Sequence, residues 1–358
     1  MKKVTYPHLG NLSIALEALV QSMGLEPITP PPTSKKTIEI GTRYVAEEAC
    51  FPLKITVGNI LEGEECGADM AIMGGGIGPC RFGYYGEVQK DIAQAIESKL
   101  DFVIIEPKMK DILAKVKYLT GGYPFKRVLR GFQMALKKMD ALDRFEKYLI
   151  KVRPFEKRKG AAGLIERKYL ENIRQATSFT KIDKHYKEAK EKLTEAIETD
   201  KDSGVKIAIV GEFYMVIEKH ANANIERIIN SMGVSIFRNI SLSNWITTNM
   251  LGLNKNKEVI KLAKPYVETF IGGHGRETVG ETIRFNRLGL DGIIQLAPMT
   301  CMPEIIAESI LMDLSEKYDI PILFIFLDEH SGEIGLKTRI EAFIDMLKFR
   351  KERKESFG

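Results

Sequence analysis

Three of the chain's four cysteines stand beside prolines, at points where apolar runs break. Cys50 lies in Glu48-Ala49-Cys50-Phe51-Pro52, Cys80 in Gly78-Pro79-Cys80-Arg81, and Cys301 in Thr300-Cys301-Met302-Pro303. Proline fixes φ and stiffens the backbone that carries each thiol. Thiols on stiff turns suit a shared iron–sulfur cluster, whose irons take cysteine thiolates as ligands. Three ligands would leave one iron of a cubane without a protein thiolate, which points to redox chemistry rather than a purely structural metal. The same residues also read as inert core thiols, because free cysteine packs as a small hydrophobe. No C-x-x-C pair makes the spacing diagnostic, and a structural zinc normally wants four ligands in a closed site. Cys66, in Glu64-Glu65-Cys66-Gly67, has no proline neighbour and is expected at a helix end. It is the candidate for a fourth ligand, or a plain helix-terminal cysteine.

Two glycine-rich segments come next. In Gly74-Gly75-Gly76-Ile77-Gly78-Pro79-Cys80 the unshielded N–H groups could donate to cluster sulfides or to an anion. Gly75, Gly76, Gly78 and the adjoining Arg81 are therefore the candidate cofactor-binding residues; the bland alternative is a tight strand-to-helix turn. The segment does not fit the phosphate-cradling G-x-x-x-x-G-K-[ST] pattern, since no lysine and hydroxyl follow. In Gly272-Gly273-His274-Gly275-Arg276-Glu277, His274 could hydrogen-bond a substrate or a cluster ligand, and Glu277 falls in the first turn of a helix. Glu212 and Tyr214, after one apolar run, and His330 in Asp328-Glu329-His330-Ser331-Gly332, after another, complete the catalytic candidates. Helix capping is the alternative for the His330 segment, Glu212 and Tyr214 carry the same ambiguity, and a plain helix-entry loop is the alternative at His274 and Glu277.

These residues need elements to position them. Lys3 to Tyr6, Ala68 to Met73 and Phe102 to Ile105 read as strands in the first part, alternating with helices at Asn11 to Met23 and Lys35 to Glu48, the second capped by Ser34. Cys50 follows as the end of a helix. From Phe125 to Lys201 charged helical patterns dominate and no strand is evident. Alternation restarts at Val205 to Val210, with further strands at Val234 to Phe237, Asp291 to Leu296 and Ile322 to Leu327, helix at Ala223 to Met232, and a last helix from Leu336 to Lys351. Such alternation implies parallel sheets covered on both faces. The expected fold is α/β: two open parallel-sheet domains of the Rossmann or flavodoxin-like kind, at 1–124 and 204–358, joined by a helical insert or linker at 125–203. In open parallel sheets, ligands bind outside the carboxyl ends of the strands. Cys80 and Cys301 each follow such an end.

Composition narrows the function classes. With 53 basic and 48 acidic residues in 358, a net charge of +5 describes a mixed surface. No nucleic-acid-binding motif accompanies the charge, so no nucleic-acid partner is expected. The start, MKKVTYPHLG, has no apolar run after its lysines, and IPILFIFL is too short to span a bilayer. A cytoplasmic protein with no membrane association is expected. In that compartment the cysteines are metal ligands, reactive thiols or core residues rather than disulfides.

The segments CFPLK at 50–54, GGGIGPCRFGYYGE at 74–87, VGEFYMVIE at 210–218, GGHGRETVGE at 272–281, APMTCMPEIIAESI at 297–310 and LDEHSGE at 327–333 together resemble one family. It is the 2-hydroxyacyl-CoA dehydratase-like iron–sulfur proteins, nearest the acyl-CoA dehydratase activase-related branch. The resemblance covers nearly the whole chain, with the helical middle weakest. It implies a [4Fe–4S] cluster held by Cys50, Cys80 and Cys301, low-potential electron transfer or reductive chemistry, and a separate ATP-dependent activase as electron donor. A homodimer is expected by the same analogy. The chain departs from the complete enzymes in having no ATP-binding module and nothing that reads as a CoA pocket. The alternatives are a non-enzymatic cluster carrier that binds the activase, and a zinc-stabilised binding protein.

Overall fold

A computed structural model describes residues 1–76, 78–121, 124–198, 204–249 and 256–357. The elements run β1 (Lys3–Thr5), α1 (Leu12–Ser22), β2 (Glu26–Pro27), α2 (Lys35–Tyr44), α3 (Phe51–Glu65), β3 (Met70–Gly74), α4 (Tyr85–Ala95), β4 (Asp101–Ile105) and α5 (Met109–Thr120). Three helices follow: α6 (Phe125–Val152), α7 (Ala161–Gln175) and α8 (Phe179–Glu195). Then come β5 (Lys206–Gly211), α9 (Phe213–Ile217), α10 (Ile225–Ser231), β6 (Ser235–Phe237), α11 (Leu242–Asn249), α12 (Lys257–Ala263), α13 (Gly275–Arg287), β7 (Gly292–Pro298), α14 (Met302–Tyr318), β8 (Ile322–Leu327) and α15 (Glu333–Phe357). Among the described residues no helix is long and apolar enough to cross a membrane.

The chain divides into two compact units. The first holds residues 1–140, 177–179 and 242–255, and the second holds 141–176, 180–241 and 256–358. The boundary therefore falls inside α6, and the charged middle of the sequence is shared out between the units.

Each unit carries a four-stranded, all-parallel sheet: β2-β1-β3-β4 in the first and β6-β5-β7-β8 in the second. In each unit's own strand numbering the order is 2-1-3-4. The chain leaves its first strand for one neighbour, then crosses to the other side for the third. The order reverses beside that first strand, which is where open sheets form a ligand crevice at their carboxyl ends. The fold class expected from alternation is met at this level.

The central strands are mostly apolar because helices cover both faces. All seven residues of β7 are buried. Ile293 packs with Ala208 and Val210 of β5, Val279 and Ile283 of α13, and Ala307, Leu311 and Leu314 of α14 in the main core of the second unit. In the first unit Val4, Met70 and Val103, from three adjacent strands, pack with Val20 and Val128.

Two local outcomes bear on the site. Ser34 caps α2 as expected: its hydroxyl accepts from Thr37 N–H while Ser34 N–H donates to the Thr37 hydroxyl. That helix stops at Tyr44, where Val45 turns extended. Cys50 is therefore not the end of a helix but the residue before one, the N-cap of α3. Pro52 reads from sequence as a break, yet the first turn of a helix tolerates proline, because its missing N–H would have no intrahelical partner there.

Candidate functional site

In the first unit β3 delivers its chain into the glycine-rich segment. The Gly75 N–H donates to Ile105 O at 2.9 Å, so that group closes the sheet edge rather than facing a ligand. A Cβ on Gly75 would meet the Glu106 carboxylate at 2.5 Å. One on Gly76 would meet Gly83 Cα at 2.8 Å, so two stretches of backbone touch where no side chain could intervene. Gly78 sits at φ +98°, the left-handed region that favours glycine. Ile77 lies outside the described residues. The glycines thus fold the loop tightly on itself and bring Cys80, half-buried, to the N-cap of a 3-10 turn, Arg81–Tyr84, that continues into α4.

Cys50 caps α3 nearby. It packs against the buried cluster of Val45, Leu53, Val57, Met73 and Tyr85, as Phe82 does, so the Cys50 turn and the segment after Cys80 share one apolar cluster. Arg81 Nη1 donates to Glu48 O at 3.2 Å, joining the residue after Cys80 to the turn before Cys50. Lys54, 2% exposed, donates from Nζ to Glu47 O at 2.8 Å.

Cys66 is elsewhere. It is the exposed C-cap of α3, the helix that Cys50 caps at the other end. At ~1.5 Å rise per residue, the 15 residues of α3 separate the two ends by roughly 22 Å. The fourth-ligand role considered for Cys66 is excluded by that length.

In the second unit the carboxyl ends of β5 and β7 gather most of the remaining candidates. Gly211, at φ +131°, lies so close to β7 that a Cβ would meet Leu296 O at 2.0 Å. Next, Glu212 caps α9, its carboxylate accepting Met215 N–H at 2.9 Å. Burial raises the Glu212 pKa, opposed by that N–H. Tyr214 is buried and its hydroxyl has no hydrogen-bond partner among the described residues. Its pKa stands well above the usual value, through burial and then the neighbouring Glu218 and Glu212.

Gly272 and Gly273, both at positive φ, turn the chain into His274, the N-cap of α13. The imidazole lies 6.3 Å from the Phe213 ring, and burial holds its pKa down against the pull of Glu277. Glu277 is in the first turn, its buried Oε2 without a hydrogen-bond partner among the described residues. The first turns of α13 and α14 touch: a Cβ on Gly275 would meet Pro303 O at 2.2 Å. Cys301, 8% exposed, caps α14, with Pro303 inside its first turn. Thr300 before it holds φ +64°, a strained conformation for a β-branched residue of the kind that concentrates at functional sites.

Sequence reasoning missed Glu304. This wholly buried carboxyl in the first turn of α14 accepts from Thr278 Oγ1 at 3.0 Å and Gln295 Nε2 at 2.9 Å. Burial pushes its pKa up to about 8, the two hydrogen bonds oppose this, and the nearby Glu212 and Glu277 add to it. One signal was available: Gln295 is the only polar side chain in the strand Gly292–Pro298. A buried acid near neutrality, a neutral imidazole and a buried phenol can each hold a proton at this edge.

His330 is apart from this group. Its side chain is exposed, and its N–H donates to Asp328 Oδ1 at 3.0 Å in a turn that Ser331 also closes onto Asp328. Cavities of about 260 Å³ and about 270 Å³ in the second unit also lie away from the candidates, the first beside Asp291 and Asp319 before β7 and β8, the second between α7 and α8.

None of the cysteines is in a disulfide. Among the described residues, no three His, Cys, Asp or Glu side chains are grouped so as to hold a metal ion. The donor chemistry nevertheless suits iron and sulfide. Cys50, Cys80 and Cys301 all cap the start of helical backbone with no side-chain capping bond, Cys80 and Cys301 in extended conformation. A helix N-terminus favours thiolate over thiol. No family model matches the chain, and no curated protein does.

Proposed function

We propose that Cys50, Cys80 and Cys301 hold a [4Fe–4S] cluster and that the chain serves low-potential electron transfer or reductive chemistry. What supports this most is the common placement of the three thiols. Each caps a helical start, and Cys80 and Cys301 follow the third strand of sheets with the same strand order. On this reading each unit is a four-strand version of the flavodoxin-like 2-1-3-4-5 arrangement, with its ligand edge at the carboxyl ends.

When bound, such a cluster accepts and returns one electron at a time. The chain's own residues would hold it by thiolate, fix the thiols on proline-stiffened backbone, and keep protons on Glu304 nearby. The electron would come from a separate ATP-dependent activase, since the sequence carries no phosphate-cradling loop. The close approach of Gly76 to Gly83 would hold the turn that carries Cys80 in place.

Anaerobic purification and reconstitution, followed by iron and sulfide analysis, tests the reading. About four irons per chain with a band near ~400 nm that dithionite bleaches are expected. Colourless protein with no iron, or with zinc in its place, would overturn it. Turnover of an acyl-CoA in the presence of activase and ATP separates catalysis from simple electron carriage.

A further inference from the structure

We propose that Lys54 and Arg81 form a cationic clamp that positions Cys50 against Cys80 and raises the reduction potential of what the two thiolates hold. The inference rests on the cluster reading above. Its geometry lies wholly within the first unit.

The turn from Ala46 to Ala49 leads directly into Cys50 and is closed by its own Ala49 N–H to Ala46 O bond at 3.0 Å. Its next two carbonyls are taken by two cations. Lys54 reaches back one helical turn from its place on α3 to Glu47 O, and Arg81 reaches across from the residue after Cys80 to Glu48 O. One cation therefore belongs to the Cys50 helix and the other to the Cys80 turn, and both grip adjacent residues. Moving Cys80 relative to Cys50 breaks the Arg81 bond.

The anchor is rigid. The Lys54 carbonyl lies against Gly41, where even a methyl group would sit 1.7 Å from Lys54 O. Helices α2 and α3 thus cross with backbone in contact at the residue that carries the ammonium.

The choice of cation carries the functional part of the inference. A main-chain carbonyl is satisfied by any neutral donor, whereas an ammonium also brings a charge that loses hydration on burial. Lys54 is almost wholly buried one turn from a thiol, and Arg81 adjoins another. Thiolate at Cys50 and Cys80 would add negative charge at the two residues that the clamp joins. A fixed positive charge also stabilises the form of the cluster that carries one extra electron, so it favours reduction.

The test uses the full-length chain, as wild type, Lys54→Met, Lys54→Arg and Arg81→Met. In cluster-loaded protein, dithionite titration followed by electron paramagnetic resonance should show a more negative potential in Lys54→Met. The expected change is about tenfold in the reduced-to-oxidised ratio at fixed potential, or ~59 mV for one electron. Lys54→Arg should restore most of it. In cluster-free protein, amide hydrogen exchange at residues 46–50 should rise about tenfold in Lys54→Met and Arg81→Met. Full cluster content with an unchanged potential overturns the electrostatic role, and unchanged exchange overturns the clamp. Absence of iron from the wild type overturns the cluster reading alone, because the exchange measurement still decides the clamp. Should Lys54→Met fail to fold, the exposed Arg81→Met carries both readouts.

Discussion

Gln295 donates from one nitrogen to both the side chain and the main chain of Glu304, at 2.9 Å to Oε2 and 3.0 Å to the carbonyl. The pair stitches the central strand β7 to the first turn of α14, three residues beyond Cys301. Burial of that carboxyl makes the second unit's stability depend on pH. The folded pKa of about 8 stands above the ordinary 4.5, so the folded chain binds the proton more tightly than the unfolded chain. The stabilisation is complete below about pH 4.5 and is lost as pH rises through about 8. A tenfold difference in proton affinity between the two states corresponds to ~1.4 kcal/mol. Wild-type melting temperature should therefore fall from about pH 6 to about pH 9, and Glu304→Gln should flatten much of that slope. Glu212, Glu226 and Glu281 are raised in the same direction and leave a residual slope. His274 acts oppositely: its lowered pKa costs stability as pH falls below about 6.5. Thermal melts across this range decide, and an unchanged slope in Glu304→Gln would count against the buried acid.

How much of this was legible in the sequence differs by distance. The strands that became β5, β7 and β8 were readable because covered parallel strands are mostly apolar, with Gln295 the exception inside β7. Ser34 was readable because a cap and its partner are three residues apart. Glu304 was not, because its partners Thr278 and Gln295 lie 26 and 9 residues away on other elements. Cys50 was placed on the wrong helix because Pro52 has the same local signature whether it ends one helix or begins another. Cys66 looked available to a shared site until α3 gave the distance.

The second unit also contains a buried ion network that no local pattern announces. Arg238, its side chain 2% exposed, contacts Glu226 at 2.6 Å and Glu146 at 2.7 Å, and Lys219 bridges Glu146 to Glu166. Burial works to raise Glu146, but Arg238 and Lys219 outweigh it and hold the carboxyl at about 2. Arg238→Met strands Glu226 and leaves Glu146 with Lys219 alone, and should destabilise the chain by about 3–5 kcal/mol. Adding Glu226→Gln should recover part of that loss, because one stranded charge is removed. Urea denaturation of the single and double variants measures both effects, and additivity would argue that the groups act separately.

Within the glycine-rich loop, neighbouring glycines should differ sharply. A methyl group at Gly76 meets the backbone of Gly83, which can yield only if the loop opens. At Gly75 it meets the end of the Glu106 side chain, which can swing away. Gly76→Ala should cost about 1–3 kcal/mol and Gly75→Ala well under that. Equal penalties would show that the close approach of Gly76 and Gly83 does not shape the loop.

The four cysteines should separate into three and one. Cys50, Cys80 and Cys301 each begin helical backbone, whereas Cys66 ends α3, exposed and roughly 22 Å from Cys50 along that helix. Serine at any of the first three removes a thiolate and should cut cluster iron to a small fraction of wild type. Cys66→Ser should leave iron, sulfide and the visible spectrum unchanged. In cluster-loaded protein iodoacetamide should modify Cys66 and spare the others, because reactivity follows exposure and ligated thiolates are protected. Mass spectrometry of the alkylated chain reads this without any assay of turnover. Protection of Cys66 by the cluster would require α3 to unwind, and so would contradict the placement of Cys50 and Cys66 at its opposite ends.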